Sequence, residues 1–396
     1  MHRKNFVNEM NIIKIWYDEL RTVFHDMGIM LFVIILPLAY PLIYAYVYTP
    51  EVQREVPVVV VDDCKSALSR DFLRRVDATP DVTVAGHCVN MADAYSALEQ
   101  QSAYAIIHID KDFETSLSKG KQTVVGLYCN MMSMVYYKCA VSACSNVSIA
   151  MNRKIKVANY MKPKTERESE IMQTPIDYEH TSLYNPQDGY AAFMIPPILM
   201  MIIQQSLFLG IGMSMGRSRE QNGGFVIPTN RFYKNSVEIV LGKMLFYLML
   251  YIIHAIYAFE VITKMFSLPQ LGHYWDFILF VIPYIIDCCF LGMVLSYMIY
   301  RREDCMLIFV FMSLPLYFMC GLSWPGSAIP DGIRYFSYLF PSTFGLNAYM
   351  RISGMGASIS DVAFEMKGIC IQICVYFTLA CLIYTGKIRK ILKKEV

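Results

Sequence analysis

The sequence predicts an α-helical polytopic membrane protein of six spans, with an α/β domain inserted between the first and second. Two observations carry that prediction. Apolar segments recur near residues 27–48, 190–214, 237–262, 276–299, 305–322 and 367–385, and a bilayer core about 30 Å thick needs roughly 20 apolar residues in a helix. The first two segments are separated by a long, mostly polar stretch. Composition agrees, since the 396 residues are 55% hydrophobic and only 17% charged, against about 25% charged in an ordinary soluble domain.

The distribution of Lys and Arg orients the spans. Cations cluster at Arg3, Lys4, Lys14 and Arg21, at Arg217, Arg219, Arg231 and Lys234, at Arg301 and Arg302, and in the tail from Lys387 to Lys394. The alternate loop between the third and fourth spans offers only Lys264. Short-loop cations stay inside, so both termini are expected in the cytoplasm, with the insert outside.

Residues 1–25 read as a cytoplasmic amphipathic interfacial helix. Phe6, Met10, Ile13, Tyr17, Leu20 and Phe24 recur at steps of four and three, on one helical face, while Lys14, Asp18 and Arg21 fall on others. Such a helix lies on the membrane surface as an anchor, or docks a cytoplasmic partner. Residues 26–48 form the first transmembrane helix. Its apolar run begins late and lacks a small-residue cleavage site, so it is expected to persist as an anchor.

Residues 49–187 read as an extracytoplasmic α/β domain. Val56–Asp62, Val82–Val89, Tyr104–Ile109 and Thr123–Cys129 are short runs rich in β-branched residues. Helical stretches lie between them at 65–76, 91–101 and 111–119, with a longer one over 132–160, and this alternation implies a sheet covered by helices. Asp62 and Asp63 close the first strand, as ligand-binding carboxylates or as turn and cap residues. The 12 cysteines show no zinc-like spacing. Five lie in the insert (Cys64, Cys88, Cys129, Cys139, Cys144), and the sequence names no disulfide pair among them. No Ser/His/Asp set, metal cluster or glycine-rich phosphate loop stands out, which disfavours an enzyme.

Residues 188–396 hold five transmembrane helices. Polar residues inside spans mark functional candidates, and here they are Gln204, Gln205, His254, Glu260 and Asp287. Asp287 is the deepest of them, and it either lines a substrate path or pairs with His254 or Gln204 between helices. So few ionisable residues, without an evident internal repeat, argue against a proton-driven carrier. Two further regions go beyond spanning. The charged loop at 215–236 carries Arg219, Glu220, the Gly223-Gly224 pair and Pro228, then a helix runs into Gly242-Lys243. The stretch 320–354 is apolar but broken by Gly321, Pro325, Gly326, Pro330, Gly332 and Pro341. A helix cannot continue through these, so an outer re-entrant hairpin is the physical solution.

In these two regions the chain resembles ABC-2 type exporter permeases. Arg219-Glu220 followed by Gly223, Pro228 and Gly242-Lys243 is similar to that family's cytoplasmic loop and third-span start, although Gly224 and Phe225 stand where it has Thr and Leu. Gly321, Pro325, Ile329-Pro330, Leu339-Phe340-Pro341, Arg351 and Gly354 resemble its outer hairpin. Val59 to Asp63, Ser66 to Arg70 and Ala105 to Ile109 resemble the outer domain of its multidrug-efflux-like branch.

The resemblance implies a type-2 ABC exporter permease fold and a transport subunit rather than an enzyme. The sequence contains no Gly-x-x-x-x-Gly-Lys-Ser/Thr loop. By this likeness the chain binds no cofactor of its own, and ATP and Mg belong to a separate ABC ATPase partner. Tyr17, Arg21, Arg219, Glu220, Gly223, Pro228 and Lys243 would couple to that ATPase. Gln204, Gln205, His254 and Asp287 would border the substrate path, beneath a hairpin marked by Gly321, Pro325, Pro330 and Pro341. The other expected partners are a second copy or related permease, a periplasmic adaptor and membrane lipid, not nucleic acid. The setting is the inner membrane, and the substrate is amphipathic or hydrophobic (a drug, lipid or peptide). The competing reading is a non-transporting sensor or scaffold built on the outer domain.

Overall fold

A computed structural model describes residues 2–49, 53–119, 121–131, 133–156, 184, 189–222 and 235–394. The chain divides into two compact units, Met1–Glu51 together with Ser182–Val396, and Val52–Thr181.

The inserted unit alternates strand and helix. Its elements are β1 (Val56–Asp62), α3 (Ala67–Asp77), β2 (Val82–His87), α4 (Met91–Glu99), β3 (Ala105–Ile109), α5 (Phe113–Ser118), β4 (Val125–Cys129) and α6 (Met134–Lys156). The strands form one sheet in the order β2-β1-β3-β4, with β1 parallel to both neighbours and β3 antiparallel to β4. Because β2 and β3 flank β1, right-handed crossovers place α3 and α4 on opposite faces of the sheet. The side chains obey the period of two. Val58 and Val60 pack with Phe72, Leu73 and Val76 of α3 and with Ala140, Ala143 and Val147 of α6. Val59, Val61 and Ile106 pack with Ala94 of α4. The expected strands and helices are all present, each within three residues of its expected start. Asp62 resolves as a loop brace, accepting from the N–H groups of Cys64 and Lys65 and from Ser69 Oγ.

The apolar unit begins with α1 (His2–Phe24), followed by α2 (Met27–Val47). It continues through α7 (Tyr190–Gln221), α8 (Ser236–Met265), α9 (Tyr274–Met298), α10 (Arg302–Met319), α11 (Asp331–Ser337), α12 (Pro341–Tyr349) and α13 (Ala363–Lys394). Among the described residues, five helices are long and apolar enough to cross a membrane: α2, α7, α8, α9 and α13 over Ala363–Arg389. The sixth span expected at 305–322 is not among them: that stretch forms α10, 18 residues long and shifted three residues towards the N-terminus. Its first turn carries Arg302, Glu303 and Asp304, which cuts its apolar run below that of the others.

Helix α7 is the hub of this unit, and each neighbour meets it through a specific fit. A Cβ at Gly210 would collide with Val33 of α2, so only glycine lets these two helices approach so closely. Tyr251 of α8 donates to Ser206 (3.1 Å), and Cys305 of α10 donates to the Leu209 carbonyl (3.5 Å). Phe208 meets Phe309 with ring centroids 5.5 Å apart.

The broken stretch after α10 folds back as a hairpin. Gly321 takes a φ of +83°, a region that favours glycine. Pro325 precedes a 3-10 turn at Gly326–Ala328, Pro330 caps α11, and Pro341 opens α12 at a position that needs no N–H. Asn347 donates to the Cys320 carbonyl (2.9 Å), and Gln372 of α13 donates to that of Tyr338 (2.8 Å), so the hairpin is tied to both flanking helices.

Candidate functional site

The most densely connected polar region lies where α1 meets the membrane helices. α1 is buried along Ile15, Glu19 and Val23, spaced by four, while Ile13, Tyr17 and Phe24 of the expected apolar stripe stay exposed. The side chains of Phe6 and Met10 lie outside the described residues. The helix therefore has two working faces, one packed on α8 and one left open. Gly242 explains the close docking, because a Cβ there would stand 2.9 Å from Ile15 and 3.1 Å from the Ile12 carbonyl oxygen.

One helical turn away, three donors converge on Glu19. Lys243 Nζ lies 2.7 Å from Oε2, while Ser214 Oγ and Tyr247 Oη donate to Oε1 at 2.5 and 2.8 Å. Both charged side chains are almost fully buried, at 5% and 6% exposure. Burial by itself would raise the Glu19 carboxyl, but the Lys243 ammonium and these three hydrogen bonds outweigh it and hold the group below its ordinary value.

A second cluster sits at the bend between α1 and α2. Asp26 caps α2 through the N–H groups of Gly28 and Ile29, and its other oxygen lies 3.2 Å from Arg217 and 2.7 Å from Arg302. Arg302 also pairs with Glu220 at 2.7 Å, and Arg217 donates to the Thr22 carbonyl. Burial disfavours the Asp26 charge, yet the two amides and two guanidinium groups prevail and lower its pKa. Arg219 is buried, donates to the carbonyls of Ile299 and Tyr297, and lies 4.9 Å from the Tyr300 ring centroid. At the start of α8, Asn235 caps the helix and donates to Glu238, which also accepts from Asn11 of α1.

The expected coupling residues thus divide. Tyr17 and Arg21 are exposed on α1, and Glu220 is partly exposed at the end of α7. Arg219 and Lys243 do not face a partner surface as expected; both are buried braces, because their charges serve carbonyls and a carboxylate within the chain. Gly223 and Pro228 lie outside the described residues. Glu19, Ser214 and Tyr247 were not singled out from the sequence. The available signal was a carboxylate four residues from both Ile15 and Val23.

The intramembrane candidates do not form one cluster. His254 Nε2 donates to the Val33 carbonyl at 2.9 Å, and Gln204 accepts from Tyr284 at 3.3 Å. Asp287 is fully buried and pairs with neither His254 nor Gln204; among the described residues its two oxygens and both amide atoms of Gln205 have no hydrogen-bond partner. The expected pairing fails because His254 turns to α2 and Gln204 to Tyr284. Among the described residues no group of three or more His, Cys, Asp or Glu side chains could hold a metal ion.

Five helices able to cross a membrane, an inserted α/β domain and a first helix braced against them define a multi-pass membrane protein. The comparison with known families names the kind. The family model described as ABC-2 family transporter protein matches residues 27–382, so the chain belongs to that family. It is a multi-pass membrane subunit of the ABC transporter type, whose members generally pair with an ABC ATPase. No curated protein and no solved structure matches it.

Proposed function

We propose that this chain is the permease subunit of an ATP-driven exporter, moving an amphipathic or hydrophobic substrate outward from the cytoplasm or inner leaflet by alternating access. A separate ATPase subunit, carrying ATP and Mg, supplies the work. Two permease chains, identical or related, enclose the pathway in the inner membrane with both termini cytoplasmic, and a periplasmic adaptor completes the route.

The observation that supports this most is the buried Glu19–Lys243 pair with its Ser214 and Tyr247 bonds. It joins α1 to α7 and α8, so force applied to α1 passes to two membrane helices rather than dissipating in a loose surface helix. Of the expected coupling residues among the described ones, Tyr17, Arg21 and Glu220 have surface to offer an ATPase. Asp287 and Gln205, buried with unpartnered polar atoms, are the groups that a substrate or a second conformation would satisfy.

Affinity purification of the tagged chain in mild detergent, with ATPase assays and mass spectrometry, tests the reading. An ABC ATPase near one copy per permease is expected, with substrate-stimulated hydrolysis that Glu220→Lys and Tyr17→Ala reduce. Recovery of the chain alone under several detergents would transfer the case to a sensor or scaffold.

A further inference from the structure

We propose that the cleft between α3 and β2 of the inserted domain binds an anionic amphiphile, a molecule with a phosphate or carboxylate head and a short apolar body. The cleft has a volume of about 880 Å³. One wall is the face of α3 bearing Ala67, Arg70, Arg74 and Asp77, which are three or four residues apart. The other is formed by Val84 and the residues around His87. It lies towards the carboxyl ends of β1 and β2, the end at which open α/β sheets take their ligands.

The charge in this cleft is uneven. Asp62 has both oxygens engaged by its own loop, through Cys64 N–H (3.0 Å), Lys65 N–H (2.9 Å) and Ser69 Oγ (2.8 Å). That brace holds Lys65 at a φ of +51°, an unusual backbone for a residue with a side chain. The Lys65 ammonium has no partner among the described residues. Arg70 directs one nitrogen to the Lys65 carbonyl (2.9 Å), which fixes its guanidinium beside Lys65 and leaves the other nitrogens available. Arg74 is committed to Asp71 at 3.2 Å. Asp77 sits at the opposite end of α3, accepting the Val84 N–H at 2.8 Å. Ser66 and Ser69 close the start of α3 by reciprocal bonds, so recognition falls on the side chains.

The result is a pair of cations at one end, with an apolar strip of Ala67, Leu73 and Val84 running towards Asp77. From residue 70 to 77 the helix advances about 10 Å, enough for a short chain. With both cations lining this end of the cleft, an oxyanion suits it, because the planar guanidinium fork offers two parallel N–H donors. Asp77 opposes a second anionic group at the far end and sets the ligand's direction. This site depends on the inserted domain alone and stands whether or not the chain exports anything.

The test is amide hydrogen exchange on the full-length protein in lipid nanodiscs, with hexyl phosphate and hexanoate as probes. At least one should slow exchange over residues 62–74 and 84–89, and the more protective one identifies the head. Hexylamine should not protect. Arg70→Glu and Lys65→Gln should each raise the half-saturating concentration about tenfold or more, and Arg70→Lys by less. Unaltered exchange over β1 and β3 without probe shows that a variant is folded; where Arg70→Glu fails that check, Lys65→Gln decides. Absence of protection by both probes, or protection indifferent to Arg70 and Lys65 in folded variants, overturns the proposal. Inorganic phosphate protecting as well as hexyl phosphate overturns the amphiphile and leaves a simple anion site.

Discussion

Replacing Glu19 with leucine removes the acceptor on which three donors converge, while leaving Lys243 inside the protein. Lys243 Nζ sits 2.7 Å from Glu19 with only 6% of its side chain exposed. A buried charge deprived of its partner costs about 3–5 kcal/mol. Ser214 and Tyr247 also lose their common acceptor, so the upper half of that range is expected. The energy falls on the seam between α1 and α8, and the suitable assay is amide exchange over residues 12–24 in nanodiscs. At 1.4 kcal/mol per factor of ten, exchange should accelerate by roughly seven hundredfold to several thousandfold, with the α7 amides little changed. Lys243→Met should behave alike. The double variant should recover most of the loss, because an apolar pair of similar volume often replaces a buried ion pair at little cost. A double-mutant cycle then gives a coupling above about 2 kcal/mol. A coupling under about 0.5 kcal/mol, the level expected of independent sites, would refute the argument that this pair holds α1 in place.

The other expectations concern separate parts of the bundle. Gly210→Ala pushes a methyl into Val33 and should destabilise the protein by about 1–3 kcal/mol, read as a lower detergent melting temperature that Val33→Ala partly restores; a neutral Gly210→Ala would show that the contact is slack. The Asp26 carboxyl is held low, so its stabilisation is present above the unfolded value of about 3.9 and is lost as pH falls through the lower folded value; a thermal-shift profile of Asp26→Asn should converge with the parent only at the acid end. Asp287→Asn exchanges a carboxyl for an amide of the same shape at a buried site without a hydrogen-bond partner among the described residues, so protein abundance should hold while substrate preference in a transport assay changes; lost abundance with unchanged preference would make the residue structural.

Much of this architecture was legible because hydropathy and strand periodicity are local signals. The apolar runs and the β-branched segments needed no knowledge of their neighbours, and the start of α10 was placed three residues late because the charged Arg302, Glu303 and Asp304 belong to its first turn. The polar site was less legible because it is made by pairs far apart in sequence. Glu19 finds Lys243 across 224 positions, and Asp26 finds Arg302 across 276. Nothing near Lys243 says whether its ammonium turns outward to a partner or inward to a carboxylate. Gly242 carried the missing information, since a glycine beside a lysine at a helix start permits the close approach that buries the lysine.

The hydrogen-bond ladder of α2 loosens into a π turn at Leu31–Ile35, and that of α8 does so at Tyr257–Ile262. α8 stitches itself to α2 through His254 on the Val33 carbonyl and Tyr257 on that of Leu38. With the Glu19 pair below them, these stitches clamp two non-adjacent stretches of chain into a three-rod frame whose rungs run from Lys243 to Tyr257. A push on α1 would therefore be passed through α8 to Leu38, deep in the first span. A gate that opened through this frame would have to break the Glu19–Lys243, His254–Val33 or Tyr257–Leu38 rung.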